Sequence, residues 1–224
     1  MGVSHDALDK GYANWTSAYL DGSHRFEERH SVYGELRETR RFDQQDREIS
    51  GGYYYPFSAA WTGLIEASVS PDHKVLPKSS LFGQLQKTFD DGWNAQAGLR
   101  HTRYNTAASD LMVLTGERYW GNYRAAYKFY LGKPQGAGAA ASHVGQLSYY
   151  YGVRDFLTLS LSQGNQVENL GAGLGVLTTD VTSISLSGRH WLNPDWGVSY
   201  EVIAEHQGKL YSRKGIRLGL RHAF

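Results

Sequence analysis

The sequence predicts an all-β fold: one closed antiparallel transmembrane β-barrel spanning residues 1–224, with about fourteen strands and twelve as the other count. Three observations carry that expectation. Apolar and polar residues alternate with period two along most of the chain, as they do in strands with one apolar and one polar face. Short polar or Gly/Pro breaks recur at intervals of roughly thirty to forty residues, about one hairpin plus one loop. Trp61, Trp93, Trp120, Trp191 and Trp196, five of the six tryptophans, all adjoin those breaks.

Composition narrows the class. Tyr 16, Gly 26 and Trp 6 against Met 2 and Pro 5 describe an aromatic, glycine-rich β protein. A net charge of +1 gives no support to nucleic-acid binding, and the absence of cysteine excludes a disulfide scaffold and a thiolate metal site. Mean hydropathy is −0.50, and no run approaches the roughly eighteen apolar residues of a membrane helix. A membrane barrel needs apolar residues only at alternate positions, so it passes this test.

The elements follow in order. "GVSHDALD" and "WTSAYLDG" read as the first two strands. "AAWTGLIEASVS" sets Trp61, Gly63, Ile65, Ala67 and Val69 against Thr62, Glu66 and Ser68. "LFGQLQKTFDDGWNAQAGLRHTRY" is a hairpin around Asp90-Asp91-Gly92, with Leu81, Leu85, Phe89, Trp93, Ala97 and Leu99 opposed by Gln84, Gln86, Gln96 and Arg100. "VLTGERYWGNYRAAYKFYL" is the clearest hairpin, because Gly121-Asn122 is a tight-turn pair between two alternating arms. "DWGVSYEVIAEH" and "RKGIRLGLRHAF" supply the last two strands. Ile216, Leu218, Leu220 and Phe224 share one parity of the closing strand, which puts Phe224 in an aromatic belt at a membrane interface.

Alternation alone fits a lipocalin-like soluble barrel equally well. Strand number argues against it, since side chains or one small ligand fill about eight strands and fourteen would leave a large dry void. The clustering of indoles at the short breaks suits a bilayer interface, and the Gly/Ala-rich apolar face suits lipid better than a close-packed core. Short breaks fall near 26–29, 56–58, 90–92, 121–122, 152–155 and 192–195. Longer segments fall at 43–47, 71–78, 105–109, 133–142, 163–176 and 206–212. An even strand count puts both termini on the short-turn side, expected to be periplasmic, with the longer segments outside.

The polar parity then lines the lumen with Glu35, Arg37, Glu66, Arg100, Glu117, Arg124, Lys128, Glu201, Glu205, Arg217 and Arg221, with Tyr33, Tyr54 and Tyr130 offering rings for sugars. Glu117 is expected to pair with Arg124, and Glu201 and Glu205 lie beside Arg217 and Arg221. Lys87 and Arg118 take lipid-facing parity near short turns, where their stems can run along lipid to the interface; a register-flipping bulge is the other reading. No catalytic constellation emerges. His143 and Ser148 have opposite parity, and no G-x-S-x-G elbow appears. His101, His190, His206 and His222 share no close metal-type spacing, so no metal or cofactor is expected. The charges of 43–48 and 72–74 read as solvated loops, "GAGLG" at 171–175 has no following helix to cradle phosphate, and "GAGAAA" at 136–141 reads as a mobile stretch.

"VSHDAL", "HSVYGELRETRRFDQQD", "KVLPKSSLFGQLQKTFDDGWNAQAGLRHTRY", "LTGERYWGNYRAAYKFYL" and "YSRKGIRLGLRHAF" resemble, in this order and over most of the chain, the YaiO family of outer-membrane β-barrels. The resemblance implies the outer membrane of a Gram-negative bacterium, with lipid and lipopolysaccharide as surroundings. It also implies recognition by the outer-membrane assembly machinery through the C-terminal strand ending at Phe224. Some members of the family are fused behind helical repeats in surface-polysaccharide systems, so a periplasmic partner of an export system is a further expectation. The favoured function is a narrow channel or export barrel for a hydrophilic, sugar-like or polysaccharide solute. A structural or docking barrel or surface receptor is the alternative, ahead of a lipid-modifying enzyme.

Overall fold

The computed structural model describes residues 1–27, 29–136, 138–169 and 176–224. The period-two segments form β1 (Gly2–Leu8), β2 (Trp15–Glu27), β3 (His30–Arg41), β4 (Gln44–Pro56), β5 (Trp61–Val69), β6 (Ser79–Thr88), β7 (Trp93–Arg103), β8 (Ala108–Trp120), β9 (Tyr123–Pro134), β10 (Ala140–Tyr150), β11 (Phe156–Asn169), β12 (Val176–Trp191), β13 (Trp196–Gln207) and β14 (Tyr211–His222). Each pairs antiparallel with its neighbours in sequence, and β1 pairs with β14, so the sheet closes and leaves no edge. Closure is what lets strands cross lipid, because pairing on both sides of each strand leaves few backbone N–H and C=O groups to face hydrocarbon; β2 outruns β1, and beyond Tyr19 it is paired by β3 alone. Near the closing seam, Asp9 accepts the Ser212 backbone N–H at 2.6 Å, which holds its carboxyl below the usual carboxylate range.

The predicted turns hold. Gly121 takes φ 51° between β8 and β9, and Asp91 and Gly92 take φ 55° and 76° in the one-turn 3₁₀ segment between β6 and β7. Antiparallel order places both termini and the turns at 57–60, 89–92, 121–122, 151–155 and 192–195 at one end, here the termini end, and the connections at 9–14, 42–43, 70–78, 104–107 and 208–210 at the far end.

One face of the wall is apolar and uncovered. Leu20, Leu36, Ile65, Leu85, Leu99, Leu147, Ile184 and Leu218 all point outward and are exposed. Toward the termini end this band finishes in an aromatic girdle: Trp120 stacks with Tyr123 (6.0 Å), Tyr123 meets Tyr149 (5.1 Å), and Trp196, His222 and Phe224 form a ladder at 4.4 and 4.6 Å. Toward the far end it stops at charge, with the exposed pairs Arg47–Glu38 (2.9 Å) and His101–Asp110 (2.7 Å) on the same outward parity. An apolar band between an aromatic girdle and a polar rim is the profile of a bilayer-spanning barrel. Among the described residues, no helix is long and apolar enough to cross a membrane.

Lys87 and Arg118 face outward within the girdle, the Lys87 ammonium 4.8 Å from the Phe89 ring and the Arg118 guanidinium 5.2 Å from Trp93. The pairings of β6, β7 and β8 run without a register shift, so these charges reach the interface along aromatic faces and no bulge turns them inward. Trp191 departs from the expected belt, and the nearby Phe156 shares its orientation. Trp191 and Phe156 adjoin a turn but point inward, where Arg154 lies 3.6 Å from the Trp191 ring and Arg189 lies 5.2 Å from Phe156.

The far-end segments are shorter than the sequence implies. The break expected over 43–47 is a turn at 42–43, with Phe42 and Asp43 both at positive φ, and β4 starts at Gln44. β11 continues to Asn169 and β12 starts at Val176, so most of 163–176 is strand; Gly171–Gly175 lie outside the described residues. β10 starts at Ala140, itself buried, inside the stretch expected to be mobile. Beyond the lipid band both faces of the wall meet polar surroundings, so the strands continue while their hydropathic alternation stops.

Candidate functional site

The inward face carries the candidate residues. Every second residue of a strand points into the lumen, so the sequence positions on polar parity are fixed there by the sheet itself. Three inward rings lie over cross-strand glycines that leave room for them: Tyr33 over Gly52, Phe82 over Gly98, and Tyr19 over Gly2. A Cβ on Gly98 would stand only 2.7 Å from the Phe82 ring. Those rings carry cations, with Arg100 4.6 Å from Phe82 and Arg217 5.6 Å from Tyr19.

Ion pairs knit the wall. Arg124 Nε donates to Glu117 at 2.7 Å, as the sequence predicts, and the Gln96 amide donates to the same carboxylate at 3.3 Å. Arg100 donates to Glu66 at 2.8 Å, and the Tyr33 hydroxyl donates to the other oxygen of Glu66. Arg37 bridges Glu48 and Glu35. The pairing expected among β13 and β14 is different from the observed one. Glu205 is held by Arg213, which also reaches Asp6, and Arg221 crosses to Asp21 on β2. Glu201 stands directly across from Arg217 in the ladder, yet neither makes an ion pair among the described residues. The Arg213–Asp6 and Arg221–Asp21 pairs escape a reading of adjacent hairpins because they join β14 to β1 and β2, which meet it only when the barrel closes. Lys128 and Tyr130 also face the lumen, on β9, without an ion pair or hydrogen bond among the described residues.

The far mouth is narrowed from three directions. Residues 70–78, expected outside, fold back over the inner wall, with Val75 and Leu76 buried. Asp46, a fully buried inward carboxylate of β4, fastens this loop by accepting the backbone N–H groups of Lys74, Val75 and Leu76 at 3.0, 2.7 and 2.8 Å. The Asn105 amide donates to the His73 carbonyl at 2.8 Å from the next far-end turn. Beside it Tyr12, Trp15, Phe42 and Tyr211 pack edge to face at 5.2–5.8 Å, with Arg41 4.4 Å from the Trp15 ring. From a third side the outer arm of β11 brings Val167 against Gly132 of β9.

Beneath this mouth lies a chamber of about 600 Å³ whose lining includes Glu35, Arg37, Glu66, Arg100, Tyr130, Ser142 and Gln166. A second, smaller recess of about 180 Å³ lies against Asp6, Arg37, Glu201, Arg213 and Arg217. Opposite the ion-paired wall of β3–β7, the middle stretches of β10 and β11 present uncharged hydroxyl and amide groups, with Ser148 and Thr158 2.8 Å apart and Gln146 donating to Ser160 at 3.2 Å. The sequence reading missed this second wall because isolated serines on a polar parity carry no motif.

Nothing resembling a nucleophile–base pair forms at the residues weighed for it. His143 points outward to the Tyr127 hydroxyl at 2.6 Å, while Ser148 points inward to Thr158. Among the described residues no group of three or more metal-ligating side chains is present.

Comparison with known proteins agrees with this architecture. Among solved structures, a bacterial polysaccharide outer membrane secretin is similar at TM-score 0.57 and 10% identity, covering 94% of this chain and 81% of its own. The outer-membrane protein OmpT of Vibrio cholerae is similar at TM-score 0.55 and 12% identity, covering 100% and 95%. An anion-selective porin from Comamonas acidovorans follows at 0.52 and 11%, covering 100% and 96%. At such identities the likeness is one of fold. No curated protein matches the chain. The model of the YaiO membrane beta barrel domain matches residues 1–169, three quarters of the length, and with a closed, lipid-faced barrel around a polar lumen this places the protein in the outer membrane: the chain belongs to the YaiO membrane β-barrel family.

Proposed function

We propose that the barrel is a narrow channel through which a hydrophilic, sugar-like or polysaccharide solute crosses the outer membrane, with the termini end in the periplasm. The observation that carries this reading is the chamber of about 600 Å³ inside the barrel, lined on one side by the Arg37–Glu48 and Arg100–Glu66 ion pairs and on the other by Ser142 and Gln166 among smaller and apolar residues. Arg–carboxylate pairs and hydroxyls are donors and acceptors suited to polyols, and Tyr130 at the chamber's edge offers a ring to the C–H face of a sugar. The reading is of a conduit, supported by inward polar groups that pair with one another across the wall and by His143 and Ser148, which among the described residues lie on opposite faces of it. Lipopolysaccharide around the far end of the wall, the assembly machinery at the closing strand and an export component at the termini end are the partners that go with it.

Conductance of the folded barrel in planar bilayers tests it. Because cations and carboxylates are interleaved along the wall, the expected current is small or intermittent with weak small-ion selectivity. It grows when Arg124 or Glu201 is cut to Ala. A large, steady, strongly selective pore unchanged by those substitutions, or a barrel that never conducts, contradicts the proposal.

A further inference from the structure

The lumen is not charged evenly along its axis. The ion-paired chamber lies toward the far end, whereas the termini-end mouth gathers arginines along one arc, from β9 round to β14. Two of them are answered: Arg124 by Glu117 and Arg221 by Asp21. Arg154, in the turn between β10 and β11, lies on the inward Trp191 ring and donates to the Pro194 carbonyl. Arg189 is the exception. Its Nε donates to the Arg154 carbonyl at 2.9 Å and its guanidinium lies over Phe156. Among the described residues, neither of its terminal nitrogens has a hydrogen-bond partner, and it makes no ion pair.

The charges that act on Arg189 are the like charges of Arg221 and Arg154, opposed by Asp155. The Asp155 carboxylate is engaged elsewhere, accepting the Trp191 backbone N–H at 2.7 Å. A guanidinium fixed at its Nε end by a backbone carbonyl and by an aromatic face keeps its remaining fork oriented, which lowers the ordering cost of binding a planar oxyanion. The Tyr119, Tyr150 and Phe156 rings stand along the same arc, with Tyr150 and Phe156 6.1 Å apart.

We propose that this arginine–aromatic collar is an oxyanion-binding site, centred on Arg189, which captures carboxylate- or phosphate-bearing solutes at the termini-end mouth of the lumen. Two arms test it, and only the second rests on the channel reading. In the first, calorimetry on the folded barrel in uncharged detergent measures binding of an oligouronate, of tripolyphosphate and of a neutral malto-oligosaccharide of matched length. The oligouronate or tripolyphosphate binds at least about ten-fold tighter than the neutral sugar, Arg189→Gln removes most of that preference, and Arg189→Lys, which keeps the charge and loses the fork, falls between. Retention of the folded gel mobility shows that each variant is intact. In the second, the same compounds are added to either side of a single channel whose N-terminus is marked with biotin. The anions block current at lower concentration from the biotin side.

Binding confined to tripolyphosphate assigns the site to phosphate-bearing solutes, and binding of oligouronate assigns it to acidic sugars. Equal binding of all three compounds, or a preference that Arg189→Gln leaves unchanged, overturns the collar even if the barrel conducts. Arg189-dependent binding by a barrel that carries no current sustains the collar and overturns the channel instead.

Discussion

Asp46 does more for the lumen than any residue flagged by the sequence. Its carboxylate accepts three consecutive backbone N–H groups of the inward-folded loop, the arrangement in which one anion satisfies several donors that would otherwise be buried unpaired. Each such donor left without a partner costs about 1–3 kcal/mol, so the loop of the Asp46→Ala variant gains by swinging out to water. The expected outcome is a barrel that still folds and conducts at least about two-fold more in planar bilayers; an unchanged current means that the loop does not limit the path. Arg124 behaves oppositely. Its removal strands Glu117, whose side chain is only 5% exposed, and breaking a buried pair by deleting one partner costs about 3–5 kcal/mol. Arg124→Ala therefore unfolds at lower urea in lipid vesicles than the double variant with Glu117→Gln, and the opposite order contradicts the pairing. The Glu117–Arg124 pair was readable because it spans a two-residue turn. The Asp46 cradle was not, because an acid in a polar run carries no mark of a partner some thirty positions away.

At the scale of elements, the strands that cross lipid were legible because water on one side and lipid on the other force alternation. Above the lipid that difference disappears, and so β4, β11 and β12 run on through stretches read as loops. The inward rings follow a different rule, in which a glycine on the neighbouring strand makes the space for an aromatic, which in turn supports an arginine. Gly98 with Phe82 and Arg100 shows the dependence. Gly98→Val drives the Phe82 ring off the wall, takes away the surface under Arg100 and weakens its bond to Glu66. The side chains at this place enter the lumen, so the displaced ring narrows the chamber. Solute flux into proteoliposomes should fall several-fold while the folded gel mobility is kept. Flux unchanged in Gly98→Val would mean that the chamber is not on the path.

Across the whole molecule, closure determines what can be cut. Every strand has a hydrogen-bonded neighbour on both sides, so local opening concentrates at the connections, and those differ in how they are fastened. The turn at 121–122 is two residues long, and residues 89–92 are held by the Phe89 N–H to Trp93 carbonyl bond at 2.8 Å. Residues 70–78 form the longest connection between consecutive strands among those fully described, and composition alone would make them the first to be cleaved. The buried Val75 and Leu76 and the Asp46 cradle predict the reverse. With the termini end in the periplasm, protease added to intact cells should cut first in the far-end connection between β9 and β10, leave 121–122 untouched, and leave 70–78 whole. In Asp46→Ala cells the same protease should gain a second site within 70–78, at an enzyme concentration that does not cut the parent barrel there. Cleavage of the parent at 70–78 ahead of the β9–β10 connection would mean that the loop stands outside the lumen, and cleavage at 121–122 would reverse the orientation of the barrel.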